Sequence, residues 1–115
     1  MTDAAPLDVL QMYVREVVGG PYCGGADEGR MLADFLLKVW PRYRKIRVSF
    51  RAIYVVEFPF CWALAQVLVQ GLGPDGVAGK LEITSLSERG QYLLGRAMAF
   101  AARAPDSPPD PDSLS

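Results

Sequence analysis

The clearest pattern in the chain lies between Lys45 and Phe58, where every even position, Ile46, Val48, Phe50, Ala52, Tyr54, Val56 and Phe58, is apolar. Arg47, Ser49, Arg51 and Glu57 stand at odd positions. Alternation of this kind marks a strand with one face buried. The odd positions turn apolar at Ile53 and Val55, and the run exceeds one typical strand, so the strand is predicted to end near Ala52. Residues 53 to 58 then form a loop leading to Pro59 at a helix start, where a missing N–H costs nothing.

Helical spacing appears on both sides of that strand. From Glu28 to Trp40 the apolar residues Met31, Leu32, Phe35, Leu36 and Val39 recur at three- and four-residue steps, with Arg30, Asp34 and Lys38 outside the stripe. Asp27 is the predicted N-cap and Pro41 the stop. The segment FCWALAQVLVQGL from Phe60 is apolar almost all round, broken only by Gln66 and Gln70, so its helix is predicted to be largely buried. Gly71 and a GPDG turn at Gly73 to Gly76 are expected to end it. KLEIT, Lys80 to Thr84, reads as another strand, and Ser85 with Glu88 forms a capping box for a helix carrying Leu93, Leu94, Ala97, Met98 and Ala101.

The first segment, Leu7 to Val18, fits strand or helix, and a cluster of Gly19, Gly20, Pro21, Gly24 and Gly25 forces a loop after it. Strand and helix then alternate three times. Parallel strands need crossover connections, so this order predicts an α/β domain: a small, mostly parallel or mixed sheet with about three helices. The alternative is a winged-helix α+β fold, with KLEITSLSERGQYLL as a wing strand and closing helix and residues 60–71 as the recognition helix. That segment carries no Arg or Lys and only two glutamines, poor equipment for phosphates and base edges, which places this alternative second.

With 115 residues the chain suffices for one domain, and half of them are hydrophobic, enough to build a core. The domain is expected over residues 1–103, followed by a disordered, acidic, proline-rich tail, APDSPPDPDSLS, over 104–115. The formal net charge of −1 hides an asymmetry: three of the thirteen acids lie in that tail, whereas every basic residue lies at or before Arg103. There is no histidine, which removes the usual general base and the commonest metal ligand. Cys23 and Cys61 are too far apart in sequence and too few for a zinc site, so neither metal nor cofactor is expected. No leader and no 18-residue apolar run is found, since Glu57 and Pro59 interrupt the longest candidate; a cytoplasmic protein with reduced thiols and no membrane contact is expected.

Three stretches resemble the STAS-like domains, relatives of the sulfate transporter and anti-sigma factor antagonist family. DEGRMLADFLL, Asp27 to Leu37, resembles the approach to that family's first helix; KIRVSFRAIYVVEFPFCWALAQVLVQGL, residues 45 to 72, resembles its central strand, loop and next helix. KLEITSLSERGQYLLGRAMAFA resembles the last strand and helix. The resemblance covers nearly the whole ordered chain and rests on apolar pattern and glycine. It implies a regulatory module whose partner is a kinase or ATPase. Regulatory members present a phosphorylatable serine at the start of the helix after the central strand; here Glu57, Phe58, Pro59 and Phe60 occupy the matching places, and Ser49 stands where an aspartate is expected. Binding through an unmodified surface is therefore implied.

Two sets of residues are candidate sites. Tyr54, Glu57, Phe58, Phe60 and Trp62 gather aromatics around Pro59 and form the preferred partner-binding region, although core packing explains aromatics as often. Arg42, Arg44, Lys45, Arg47 and Arg51 place five positive charges within ten residues, enough to contact nucleic acid if they share one face. The competing explanation is a solvated helix exit and an edge-like strand whose charges discourage pairing. GGPYCGG, Gly19 to Gly25, lacks the lysine and hydroxyl of a phosphate loop and reads as a flexible connector. Cys23 has no histidine to activate it and acids beside it, and the carboxylates Asp27, Glu28, Asp34, Glu57, Glu82 and Glu88 show no pairing that sequence establishes. The reading is a non-catalytic module that binds a partner protein. Its rivals are a winged-helix DNA-binding regulator and a small structural subunit whose 60–72 helix packs on another chain. Homo-oligomerisation stays open.

Overall fold

In the computed structural model, which describes residues 7–103, the chain runs through β1 (Leu7–Tyr13), α1 (Val14–Val18), β2 (Tyr22–Cys23), α2 (Ala26–Val39) and a 3₁₀ turn (Trp40–Arg42). It continues through β3 (Tyr43–Ser49), β4 (Val55–Val56), α3 (Phe58–Leu72), α4 (Pro74–Lys80), β5 (Leu81–Thr84) and α5 (Glu88–Arg103). The fold is α/β, as the alternation predicts: β1, β3 and β5 form a parallel sheet in that spatial order, and β2 pairs in parallel with β4. The tail expected over 104–115 lies outside the described residues.

Side-chain alternation decides which face of the sheet is covered. Register places Leu10 beside Ile46 and Met12 beside Val48, and Ile46 and Val48 beside Leu81 and Ile83. These side chains meet Leu32, Leu36, Phe60, Leu64, Leu68, Leu93 and Ala97 from the helices in one core. Within the helical layer α3 packs against α2 on one side and α5 on the other. The opposite row, Gln11, Arg47 and Glu82, runs across the other face, where Arg47 Nε lies 3.4 Å from Glu82 Oε1. Parallel sheets are ordinarily covered on both faces. Here Gln11, Lys45, Arg47 and Glu82 share the second face with the exposed Val9 and Tyr13.

A close approach of two helices is made by a glycine. A Cβ on Gly29 of α2 would stand 2.4 Å from the Phe60 carbonyl oxygen and 3.0 Å from the Ala63 Cβ of α3. Only hydrogen fits there, so Gly29 sets the distance between α2 and α3 and with it the start of α3.

Several boundaries differ from expectation for local reasons. The segment Leu7 to Val18 is strand and then helix, closed by Gly19 in the left-handed region at φ 86°. β3 ends at Ser49; Phe50 still donates its N–H to Thr84, but the chain turns at Ala52, whose φ of 63° no strand accommodates. Gly25 caps α2 instead of Asp27, donating its N–H to the Glu28 carboxylate at 3.1 Å, while Asp27 pairs with Arg30 at 2.7 Å. Gly71 lies inside α3, which stops at Gly73, φ 77°. The expected GPDG turn is instead the first turn of α4, because proline there needs no N–H partner and Asp75 faces the positive end of the helix. Ser87, not Ser85, caps α5, its hydroxyl accepting from the Gly90 N–H at 3.1 Å; Ser85 takes a left-handed turn at φ 59°.

Candidate interaction surface

The glycine-rich loop and the loop after β3 are fastened to each other. Tyr54 N–H donates to the Pro21 carbonyl at 2.8 Å and Glu57 N–H to the Cys23 carbonyl at 3.0 Å, while Tyr22 pairs with Val55 and Cys23 with Val56. The Cys23 side chain is fully buried and anchors the pair in the core. The expected flexible connector is thus tied down through its second half. Tyr22 and Tyr54 project from these neighbouring backbones with 63% and 74% of their surfaces exposed. Tyr22 was not singled out by the sequence; the available signal was a large aromatic inside a glycine cluster, where no amphipathic pattern assigns it to a core.

The predicted partner-binding residues separate by depth. Tyr54 is exposed, and Glu57 is the N-cap of α3, its carboxylate 3.4 Å from Arg89 in a solvent-exposed pair. Phe58 and Trp62 are partly buried and packed against the core. Phe60 corrects the expectation: it is fully buried, its ring edge-on to Phe50 with centroids 6.2 Å apart. The first turn of α3 aims the Phe60 ring inward against Phe50, leaving nothing for a partner to touch.

The predicted basic cluster does not form one patch. Arg42 lies on the 3₁₀ turn and Arg51 past the far end of β3, so seven strand residues at about 3.3 Å each separate them. Arg44 pairs with Asp8 at 3.0 Å, and Arg47 with Glu82 on the open face. β3 is the central strand, not an edge. The winged-helix reading fails as well, because β5 joins β3 in parallel and the supposed recognition helix buries Phe60, Cys61, Ala63, Leu64, Ala65, Leu68 and Val69. The same burial removes the premise of the structural-subunit reading, since α3 packs on its own sheet and helices.

The two thiols beneath this surface are buried. Burial pushes the Cys23 thiol up to about 12, with Glu28 adding to the effect. The Cys61 thiol is likewise pushed up to about 12, by burial first and then by Cys23 and Glu57. Thiols of this kind stay protonated and are poor nucleophiles at neutral pH. Among the described residues no helix is long and apolar enough to cross a membrane. No family model, curated protein or solved structure matches this chain.

Proposed function

We propose that the chain is a non-catalytic, STAS-like regulatory module of the cytoplasm that binds a partner protein through the surface carrying Tyr22 and Tyr54. The observation that supports this reading is the pairing of two largely exposed tyrosines on hydrogen-bonded segments rooted in the core. Tyrosine offers a large amphipathic contact with few rotatable bonds, so a held pair loses little entropy on binding. The chain has no histidine, and its two thiols are buried with raised pKa values, which leaves binding as the economical reading. The family resemblance implies a kinase or ATPase as partner. Because Glu57, Phe58 and Pro59 offer no hydroxyl at the start of α3, binding is constitutive and not switched by phosphorylation there.

The test compares wild type with the Tyr22→Ala/Tyr54→Ala variant in affinity capture from extract treated with nuclease. Both side chains are exposed, so the variant keeps the fold, which circular dichroism checks. A protein retained by wild type and lost with the variant is expected. Retention that depends on nucleic acid would instead contradict a protein partner.

A further inference from the structure

We propose that the end of the molecule carrying Lys38, Arg42, Lys45 and Lys80 is a docking surface for an acidic peptide, and that its occupant is the chain's own segment 104–115. In parallel strand and helix units the helix C-termini gather at the end where the strands begin. α2 finishes at Val39 with Lys38 in its last turn, and Arg42 ends the 3₁₀ turn that leads into β3. Lys80 closes α4 just before β5; its ammonium donates to the Trp40 carbonyl and sits 5.3 Å above the Trp40 ring, joining the start of β5 to the end of α2.

α5 ends at the same place. Two adjoining cavities lie along β5 and α5 and share Ile83, Leu94 and Met98; Ser85 and Gln91 line only the first and Leu81 only the second, so the helix runs back along the strand. Arg103, the last described residue, therefore stands beyond the beginning of β5, at the basic end. Asp106, Asp110 and Asp112 follow, with no basic residue after Arg103.

The charges at that end are unbalanced. Asp8 is taken by Arg44 and Glu82 by Arg47. Asp75 lies in the first turn of α4, Asp34 stands one turn before Lys38, and Glu16 of α1 lines the same groove as Asp34 and Lys38. No acidic side chain among the described residues pairs with Lys38, Arg42 or Lys45. The first aspartate is three residues past Arg103, within about 10 Å of extended chain, and the third within about 30 Å, so all three reach the surface. Four prolines in the segment reduce the backbone freedom that docking removes. Occupied in this way, the end of the molecule is closed to other polyanions, so the tail acts as an electrostatic mask.

The full chain tests this with a nitroxide on Ser113→Cys. Cys23 and Cys61 are buried, so the label goes to the new thiol. At low salt the amide signals of residues 38 to 45 are expected to broaden, and to recover at about 0.5 M NaCl, where charge interactions are screened within a few ångströms. They should also recover with Asp106→Asn/Asp110→Asn/Asp112→Asn. The same triple variant is expected to bind a short oligothymidylate roughly threefold to tenfold more tightly than wild type, the scale of a few exposed ion pairs. Salt-independent broadening, broadening centred on Ile83, Leu94 and Met98 or on Tyr22 and Tyr54, or broadening that appears only between separate chains in a mixed-isotope sample would each overturn the proposal. Equal oligothymidylate affinity of the two forms would overturn the masking role.

Discussion

Gly29 and Gly95 occupy helices of the same domain, yet the same change has opposite consequences at each. Gly29→Ala drives a methyl group into the Phe60 carbonyl and is expected to cost about 1–3 kcal/mol, lowering the melting temperature by several degrees. Gly95 has nothing within 4 Å of its missing Cβ, so Gly95→Ala is expected to stabilise by about 0.5–1 kcal/mol through helix propensity alone. Thermal unfolding of the two variants reads both signs. The thiols give a further prediction. Unfolded, they lose their protons near the ordinary value of 9.0, whereas folded they hold them up to about 12. Between those values the unfolded state binds fewer protons, so stability is full below about pH 9 and falls as the pH rises toward 12. Urea unfolding between neutral and alkaline pH should show a shallower decline in Cys23→Ala/Cys61→Ala, which shares every other titrating group with wild type. Sequence showed where apolar residues recur but not which glycine is a contact, because a missing side chain leaves no periodic trace.

At the scale of elements, the strongest sequence signals became the strongest elements. The stripe from Met31 to Val39 is α2, the continuous apolar run is α3, and the alternation around Val48 is the central strand. The misread pieces are those where one residue type serves two structures. Gly73 and Asp75 fit a turn as well as a helix start, and both Ser85 and Ser87 precede a helix with suitable chemistry. Position relative to the turn after β5 decides between the serines, and that turn is a tertiary feature. Ser87→Ala is expected to cost about 1 kcal/mol by denaturant unfolding, from loss of the cap on the Gly90 N–H, whereas Ser85→Ala leaves that cap intact. β2 and β4 were illegible for another reason: two-residue strands have no period, and they exist because the Pro21 and Cys23 carbonyls find donors in the facing loop.

At the scale of the whole molecule, strand order converts a local list of residues into surfaces. β3 in the centre scatters the basic cluster to both ends and one face of the sheet, which pattern alone does not reveal. The same topology brings the loop after α1 against the loop after β3, and so makes neighbours of Tyr22 and Tyr54 across 32 residues of sequence. Of the aromatic candidates only Tyr54 was both named from sequence and found largely exposed, because the helical turn from Phe58 decides which rings face the core. The measurement that tests the account most directly is capture of a partner protein by wild type and by Tyr22→Ala/Tyr54→Ala, side by side after nuclease treatment. A protein held by wild type and absent from the folded variant is expected; equal retention by both would contradict binding through Tyr22 and Tyr54.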